Sequence, residues 1–235
     1  MNMSVSNSLD SVVPADFPRE VYNRIGLRIY EKLYLTGVSP VLAEHFSDAW
    51  LAVAYRFFAC TEHDASFRSS IERAGSNPPR LEHYIQEREL YGFFVTGLTV
   101  IESFYYGCYV IASMINGDGF PMDNPRSIQV SSTADKFVKN FAQKPITREL
   151  DSLRNNDAFK RWSLIRNVLA HRVNPARQVT VTLWPPKENP LHEVSWPEEA
   201  ITIDRDTTAS RRTWLANNIT RLIAELDTFT HSNFG

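Results

Sequence analysis

Arg166, Asn167 and His171 have the side chains and the spacing that cleavage of a phosphodiester requires. An imidazole titrates near neutral pH, so it can take a proton from a nucleophile or give one to a leaving group. A guanidinium holds phosphate oxygens and offsets the charge that builds in the transition state, while an amide orients either group. In RNA the ribose 2′-hydroxyl is the nucleophile. The three residues therefore suit metal-independent cleavage that leaves a 2′,3′-cyclic phosphate and a 5′-hydroxyl end and spares DNA.

The motif falls on one side of a predicted helix that begins near Thr147 or Asp157 and ends at Val173. At about 100° per residue, its three polar residues span an arc of roughly 140°, with Ser163 and the small Ala170 among them. The apolar residues on the opposite side of this helix are Ile165, Val168 and Leu169. We therefore predict that the motif side chains point away from the core, either as one wall of a cleft or as plain solvated surface.

The run Arg166-Asn167-Val168-Leu169-Ala170-His171 resembles the Arg-Asn-x3-His motif of the HEPN superfamily, the higher eukaryote and prokaryote nucleotide-binding domain. The resemblance implies a four- or five-helix up-and-down bundle that dimerises and carries the motif on its third core helix. It also implies catalytic roles for Arg166 and His171, a supporting role for Asn167, and a composite cleft where two protomers meet. Many members are metal-independent endoribonucleases, whereas others have lost the motif and act as binding modules.

Two functions from different classes follow from this resemblance. The first is a metal-independent endoribonuclease that cleaves single-stranded RNA as a homodimer, in a toxin or defence setting with an antitoxin or nucleotidyltransferase partner. The alternative is a non-catalytic HEPN-like module that binds a protein partner or a nucleotide through the same face. Ser163, Arg172 and Glu102 are the expected supporting residues. Glu102 lies inside an apolar helix, so it either orients Arg166 from that neighbouring helix or reaches solvent at the edge of the bundle.

Composition restricts the class of protein. The 235 residues are 43% hydrophobic, have a formal net charge of −2 and contain two cysteines, which excludes a disulfide scaffold and a protein that coats nucleic acid by bulk charge. No cofactor or metal is expected, because the histidines lack ligand spacing and no phosphate loop or dinucleotide fingerprint is present. Residues 136–177 contain ten basic and three acidic residues. This excess is either ordinary solvated charge or a surface that steers a polyanion.

The helical pattern predicts an all-α bundle with four long helices in a single domain over residues 19–235, preceded by a flexible tail over residues 1–18. The longest helix, Arg80–Ile115, is apolar nearly all round and is expected at the centre of the bundle rather than in a membrane. Residues 178–204 are predicted to form a hairpin-like insertion before the last helix: Val179, Val181 and Leu183 alternate with polar residues in one strand, and Ile201 and Ile203 could supply the return strand. The first 16 residues lack the basic segment followed by an apolar one that is typical of a signal peptide, so a soluble cytoplasmic protein is expected.

Overall fold

The computed structural model describes residues 14–36, 39–171, 176–181, 192–197 and 201–235. Within these ranges the chain forms seven α-helices and one small antiparallel sheet, which confirms the mostly helical fold. The helices are α1 (Arg19–Thr36), α2 (Pro40–Ala74), α3 (Arg80–Ile115), α4 (Val130–Asn140), α5 (Pro145–Asn155), α6 (Asp157–His171) and α7 (Asp206–Phe234). The strands are β1 (Gln178–Val181), β2 (His192–Trp196) and β3 (Ile201–Thr202).

The helix that carries the motif begins at Asp157, the second of the two predicted starts. Asn156 separates it from α5, because its backbone is extended (φ −69°, ψ 132°). The Oδ1 atom of Asn156 accepts hydrogen bonds from the backbone N–H groups of Ala158 (2.9 Å) and Phe159 (3.4 Å). An asparagine that satisfies the first free N–H groups in this way is a typical N-cap. The motif therefore lies on a separate helix of 15 residues.

The insertion before α7 has three strands in the order β1-β2-β3 rather than the two of the predicted hairpin. The predicted return strand near Ile201 pairs with β2 and not with β1, and β2 itself was not predicted. In β2 the side chains of Val194 and Trp196 are buried and that of Glu193 is exposed. This alternation with a period of two residues is the sequence signal that could have revealed the strand.

The chain divides into two compact units. Unit 1 comprises Met1–Phe58, Thr99–Phe159 and Ala216–Gly235, and unit 2 comprises Ala59–Leu98 and Lys160–Leu215. The boundaries fall inside α2, α3, α6 and α7, so each of these helices supplies a segment to both units. The motif segment from Arg166 to His171 belongs entirely to unit 2.

The core of unit 1 is aromatic. Trp50 stacks on Tyr22, with ring centroids 4.6 Å apart, and the Tyr22 hydroxyl donates a hydrogen bond to the carbonyl of Trp50. Phe17, which falls within the predicted tail, is buried and packs on Tyr22 (5.1 Å) and Phe57 (5.0 Å). The fold therefore includes this residue ahead of α1, whereas residues 1–13 lie outside the described residues.

The helix α3 is, within the described ranges, the one helix long and apolar enough to cross a membrane. Two thirds of its most apolar window (67%) is buried inside the protein, which is the pattern of a core helix in a soluble protein. Tyr105, in the C-terminal half of α3, is 1% exposed and donates a hydrogen bond of 2.6 Å to the carbonyl of Leu150. This burial is that of a core helix.

Low pH should destabilise unit 1 by protonating Asp227. Its carboxylate accepts hydrogen bonds from Arg24 (2.7 Å) and Arg28 (2.8 Å). Burial acts to raise the pKa of Asp227, but the two guanidinium groups outweigh it and hold the pKa below its ordinary value. A carboxylate of lowered pKa stabilises the fold above its unfolded pKa of about 3.9, and this stabilisation is lost as the pH falls through the folded pKa. We therefore expect Asp227→Asn to destabilise the protein at neutral pH and to do so progressively less below about pH 4.

Urea unfolding at a series of pH values measures this effect, with Asp118→Asn on an exposed turn as the control. The free-energy difference between wild type and Asp227→Asn should narrow on acidification, while that for the control stays flat. A difference for Asp227→Asn that is independent of pH would contradict the assignment.

Candidate functional site

The structure places the motif residues at the C-terminal half of α6. Asn167 is exposed, and Arg166 is half-buried with its Nε atom buried. His171 is the last residue of the helix, and its side chain lies outside the described part of the chain. Arg172, predicted as a supporting residue, also lies outside it. The backbone therefore places all three motif residues on one helix, as predicted.

The buried face of α6 is centred on Trp162 rather than on the predicted apolar side. Phe159, Trp162 and Ile165 are buried, whereas Val168 and Leu169, the other two residues of the predicted apolar side, are half-buried. Arg166 lies four residues after Trp162, which is about 40° away around the helix. It therefore lies at the margin of the buried face and not opposite to it, while Asn167 points outward as the helical wheel predicts.

Trp162 fixes the position of α6 beside α3 in unit 2. Its Nε1 atom donates a hydrogen bond of 2.9 Å to the carbonyl of Phe94, and its ring stacks on Phe93 with centroids 5.2 Å apart. A Cβ atom at Gly97 would lie 2.2 Å from Cζ2 of Trp162 and 3.0 Å from Sγ of Cys60. The missing side chain of Gly97 thus leaves the space that the indole ring occupies.

A second anchor lies beyond the end of α6, at Arg177. This side chain is 4% exposed and that of Glu87 is 8% exposed, and Nε donates to Oε1 of Glu87 at 2.6 Å. Its Nη1 atom donates to Gln86 (2.7 Å) and to the carbonyl of Ser76 (2.8 Å). Burial lowers the pKa of Arg177, and the charge of Glu87 opposes this effect. Sequence reasoning counted Arg177 only as part of the basic run.

The basic run from 136 to 177 is therefore not a continuous solvated surface. Lys136 donates a hydrogen bond to the carbonyl of Gly119, Arg154 pairs with Asp135 and Asp151, and Arg177 is buried. At least these three basic residues therefore stabilise the fold. The predicted basic surface that binds nucleic acid can consist only of the other basic residues of the run.

Positive charge does concentrate next to α6, at Arg161 and Arg211. Arg161 is exposed on α6, and Arg211 is half-buried on α7. Burial first, and then the like charge of Arg161, lower the pKa of Arg211. The guanidinium carbon of Arg211 also lies 5.6 Å from the centroid of the Phe94 ring. The charge of Asp204 acts on the pKa of Arg211 in the opposite direction, so the positive charge of Arg211 is partly compensated within the protein.

Sequence reasoning missed one pair of residues with acid–base chemistry, His63 on α2 and Glu89 on α3. The two side chains are 2.8 Å apart between Nδ1 and Oε2, and they are 31% and 6% exposed. Arg88 donates two hydrogen bonds to the other oxygen of Glu89. The spacing of 26 residues gives no signal in the sequence, because the partners come from different helices.

The other predicted residues are placed as follows. Ser163 is half-buried on α6, one turn before Arg166 and Asn167. Glu102 is half-buried on α3 and belongs to unit 1, whereas Arg166 belongs to unit 2.

Within the described ranges, no group of three or more histidine, cysteine, aspartate or glutamate side chains is placed to hold a metal ion. Cys60 is not a candidate nucleophile, because burial raises its pKa to about 12.

Comparison of the chain with protein-family models, with curated proteins and with solved structures gives no match. The resemblance to the HEPN superfamily therefore stays a prediction, and it depends on the residues of α6.

Proposed function

We propose that this protein is a metal-independent endoribonuclease that cleaves single-stranded RNA and acts as a homodimer. His171 is the general acid–base residue, Arg166 binds the scissile phosphate, and Asn167 positions one of the reacting groups. The 2′-hydroxyl of the substrate attacks its own phosphate, so that the products carry a 2′,3′-cyclic phosphate and a 5′-hydroxyl. Ser163, one turn before Arg166 and Asn167, has a supporting role in this proposal.

The observation that carries the proposal is the location of the whole Arg-Asn-x3-His run on one uninterrupted helix, α6. On this helix Asn167 is open to solvent, and Arg166 is held at the margin of the buried face next to Trp162. A guanidinium with a packed stem loses less conformational entropy when it binds a phosphate. The adjacent positive charge of Arg161 and Arg211 favours approach of a polyanion to the same helix.

The test is cleavage of a labelled single-stranded RNA by purified protein in an excess of EDTA. We expect cleaved ends that carry a 2′,3′-cyclic phosphate, and no cleavage when the ribose at the cleaved linkage is replaced by 2′-deoxyribose. A His171→Ala preparation purified in parallel controls for contaminating ribonucleases. Equal cleavage by the two preparations would refute the proposal, and a solution mass of one chain would refute the dimer.

A second candidate, a non-catalytic module that binds a protein partner or a nucleotide through the same face, is favoured by the burial of the Nε atom of Arg166. In that case Arg166 both contributes to the packing of α6 and contacts the ligand. The cleavage assay distinguishes the two functions, because the module produces no cyclic phosphate ends from the labelled RNA.

A further inference from the structure

The strand β1 (Gln178–Val181) lies at one edge of the small sheet in unit 2, because the strands follow the order β1-β2-β3. Its inner edge pairs with β2, and no other strand in the part of the chain that the structure describes pairs with its outer edge. All four residues of β1 are exposed. The N–H and C=O groups along the outer edge are therefore open to pairing with another extended chain.

The apolar face of the sheet continues onto β1, where it is only partly covered. Val179 pairs with Val194, so these two side chains lie on the same face. Val181 lies on that face as well, because side chains alternate along a strand. Val194 and Trp196 of β2 are buried, whereas Val179 and Val181 are 43% and 42% exposed. A further strand beside β1 would cover both valines.

The sequence of β1 is complementary to itself. The strand contains no charged residue and no proline, whereas edge strands are normally kept from pairing by a lysine, a proline or a bulge. When two antiparallel copies are related by a two-fold axis at Thr180, Thr180 lies opposite its own copy. Each Val179 then lies opposite Val181 of the other copy, so all four valines are neighbours on the apolar face and no like charges meet. The segment that fits this edge is therefore β1 of a second copy.

The anchor at the start of β1 favours this register. A two-fold axis at Val179 would instead place Val181 opposite Arg177 of the other copy. The side chain of Arg177 is buried in its own protomer, where Glu87 and Gln86 hold it, so Val181 would stay uncovered. The same contacts fix the start of β1, so that little conformational entropy is lost when the edge pairs.

The start of α3 adds exposed apolar surface near this strand. A strand of four residues alone is too short for the area of a stable dimer. Leu81 and Tyr84 are exposed, and Tyr84 lies one turn before Glu87, which holds Arg177 at the start of β1. Because the contact is small, we expect a dimer that dissociates on dilution.

We propose that two copies of this chain pair through β1, antiparallel and centred on Thr180, so that their sheets form one continuous sheet across the dimer. The inference rests on the homodimer of the proposed function and assigns the surface through which it forms. The pairing joins backbone groups of the two outer edges and covers the valines of β1 on the apolar face of the sheet.

Cross-linking through introduced cysteines tests both the surface and the register. Directly opposite residues of an antiparallel pair have Cα atoms about 4.5–5.5 Å apart, which a disulfide can bridge. Thr180→Cys should therefore give a disulfide-linked dimer on mild oxidation. Val179→Cys, on the same strand, should not, because its two copies are about 8 Å apart in this register. Thr202→Cys, on β3 at the other edge of the sheet, is the second control, and the native thiols are buried.

Thr180→Lys tests the same surface by repulsion. It places two ammonium groups next to each other at the two-fold axis, so the dissociation constant of the dimer should rise about tenfold or more. Sedimentation velocity over a series of protein concentrations measures that constant. Thr180 is exposed, so the melting temperature of the single chain should not fall. Thr202→Lys, at the exposed position on the other edge strand, should leave the dissociation constant unchanged.

The outcomes separate this inference from the proposed function. If wild type is a dimer but Thr180→Cys cross-links no better than Val179→Cys, or Thr180→Lys leaves the dimer intact, the pairing through β1 is overturned and the homodimer stands. If wild type stays a single chain at every concentration, both the pairing and the homodimer are overturned. Cleavage of the labelled RNA in EDTA tests the ribonuclease activity separately from either result.

Discussion

Replacement of Arg177 by methionine is expected to lower the free energy of unfolding by about 3–5 kcal/mol. The guanidinium is 4% exposed and bonds three different groups, and its ionic partner Glu87 is 8% exposed. Without Arg177, the carboxylate of Glu87 stays buried beside His83 (3.4 Å) and loses its guanidinium partner, and the carbonyl of Ser76 and the amide oxygen of Gln86 lose a donor. The loss is large because a buried carboxylate that loses its hydrogen-bonded cation costs more than the intact pair contributes.

Denaturant unfolding followed by tryptophan fluorescence measures the loss, and reactivity of the buried thiols of Cys60 and Cys108 gives an independent measure of opening. The matched control is Arg205→Met in the pair with Glu72 (3.1 Å), whose side chains are 58% and 52% exposed. That change should cost no more than about 1 kcal/mol. In Arg177→Met/Glu87→Leu much of the stability should return, because no buried charge remains. Equal losses at Arg177 and Arg205 would contradict this account.

Helix boundaries could be predicted where strong local signals mark them. The starts at Arg19 and Arg80 directly follow prolines, and the start at Pro40 is the proline of a serine–proline pair. The helix α2 ends at Ala74, directly before Gly75, whose φ of 72° suits glycine. Asn156 is also a local signal, because asparagine is a favoured N-cap residue. The helical pattern continues through it, however, so Thr147 and Asp157 both stayed open as the start of the helix that carries the motif. These features depend on neighbours in sequence, which is why sequence reasoning reaches them.

The orientation of α6 could not be predicted from its own sequence. A helical wheel weighs the side chains of one helix, and it gives the apolar side to Ile165, Val168 and Leu169. The observed rotation depends on Gly97, because the space at this glycine admits the indole of Trp162 and turns Arg166 toward the margin of the core. The residue on which this rotation depends, Gly97, therefore lies on a different helix, 65 positions before Trp162.

The polar pairs of unit 2 were missed for a related reason. Arg177 and Glu87 are 90 residues apart, and His63 and Glu89 are 26 apart on different helices. A charged residue in a sequence is normally assigned to the solvated surface, since few charges are buried. Only the packing of the helices identifies which of them are internal.

Arg166→Ala and His171→Ala are expected to have the largest effects on activity. Loss of a group that stabilises charge in the transition state costs about 10²–10³-fold in rate. Loss of a general acid–base residue costs about 10²–10⁴-fold. Arg166→Lys should restore little, because an ammonium ion cannot hold two phosphate oxygens in the plane of a guanidinium. Initial rates on the labelled RNA in EDTA give kcat and KM for each variant.

The control on the same helix is Arg161→Ala, which removes an exposed arginine five residues before Arg166. It should raise KM several-fold at low salt and leave kcat unchanged, since the exposed charge of Arg161 attracts the polyanion and lies outside the Arg-Asn-x3-His run. Arg166 is half-buried, so the melting temperature of each variant separates a loss of fold from a loss of chemistry. If Arg166 and His171 serve one transition state, the double variant should be no slower than His171→Ala alone. If the rate losses of the two single variants instead multiply in the double variant, Arg166 acts on binding or packing and not on the reacting phosphate.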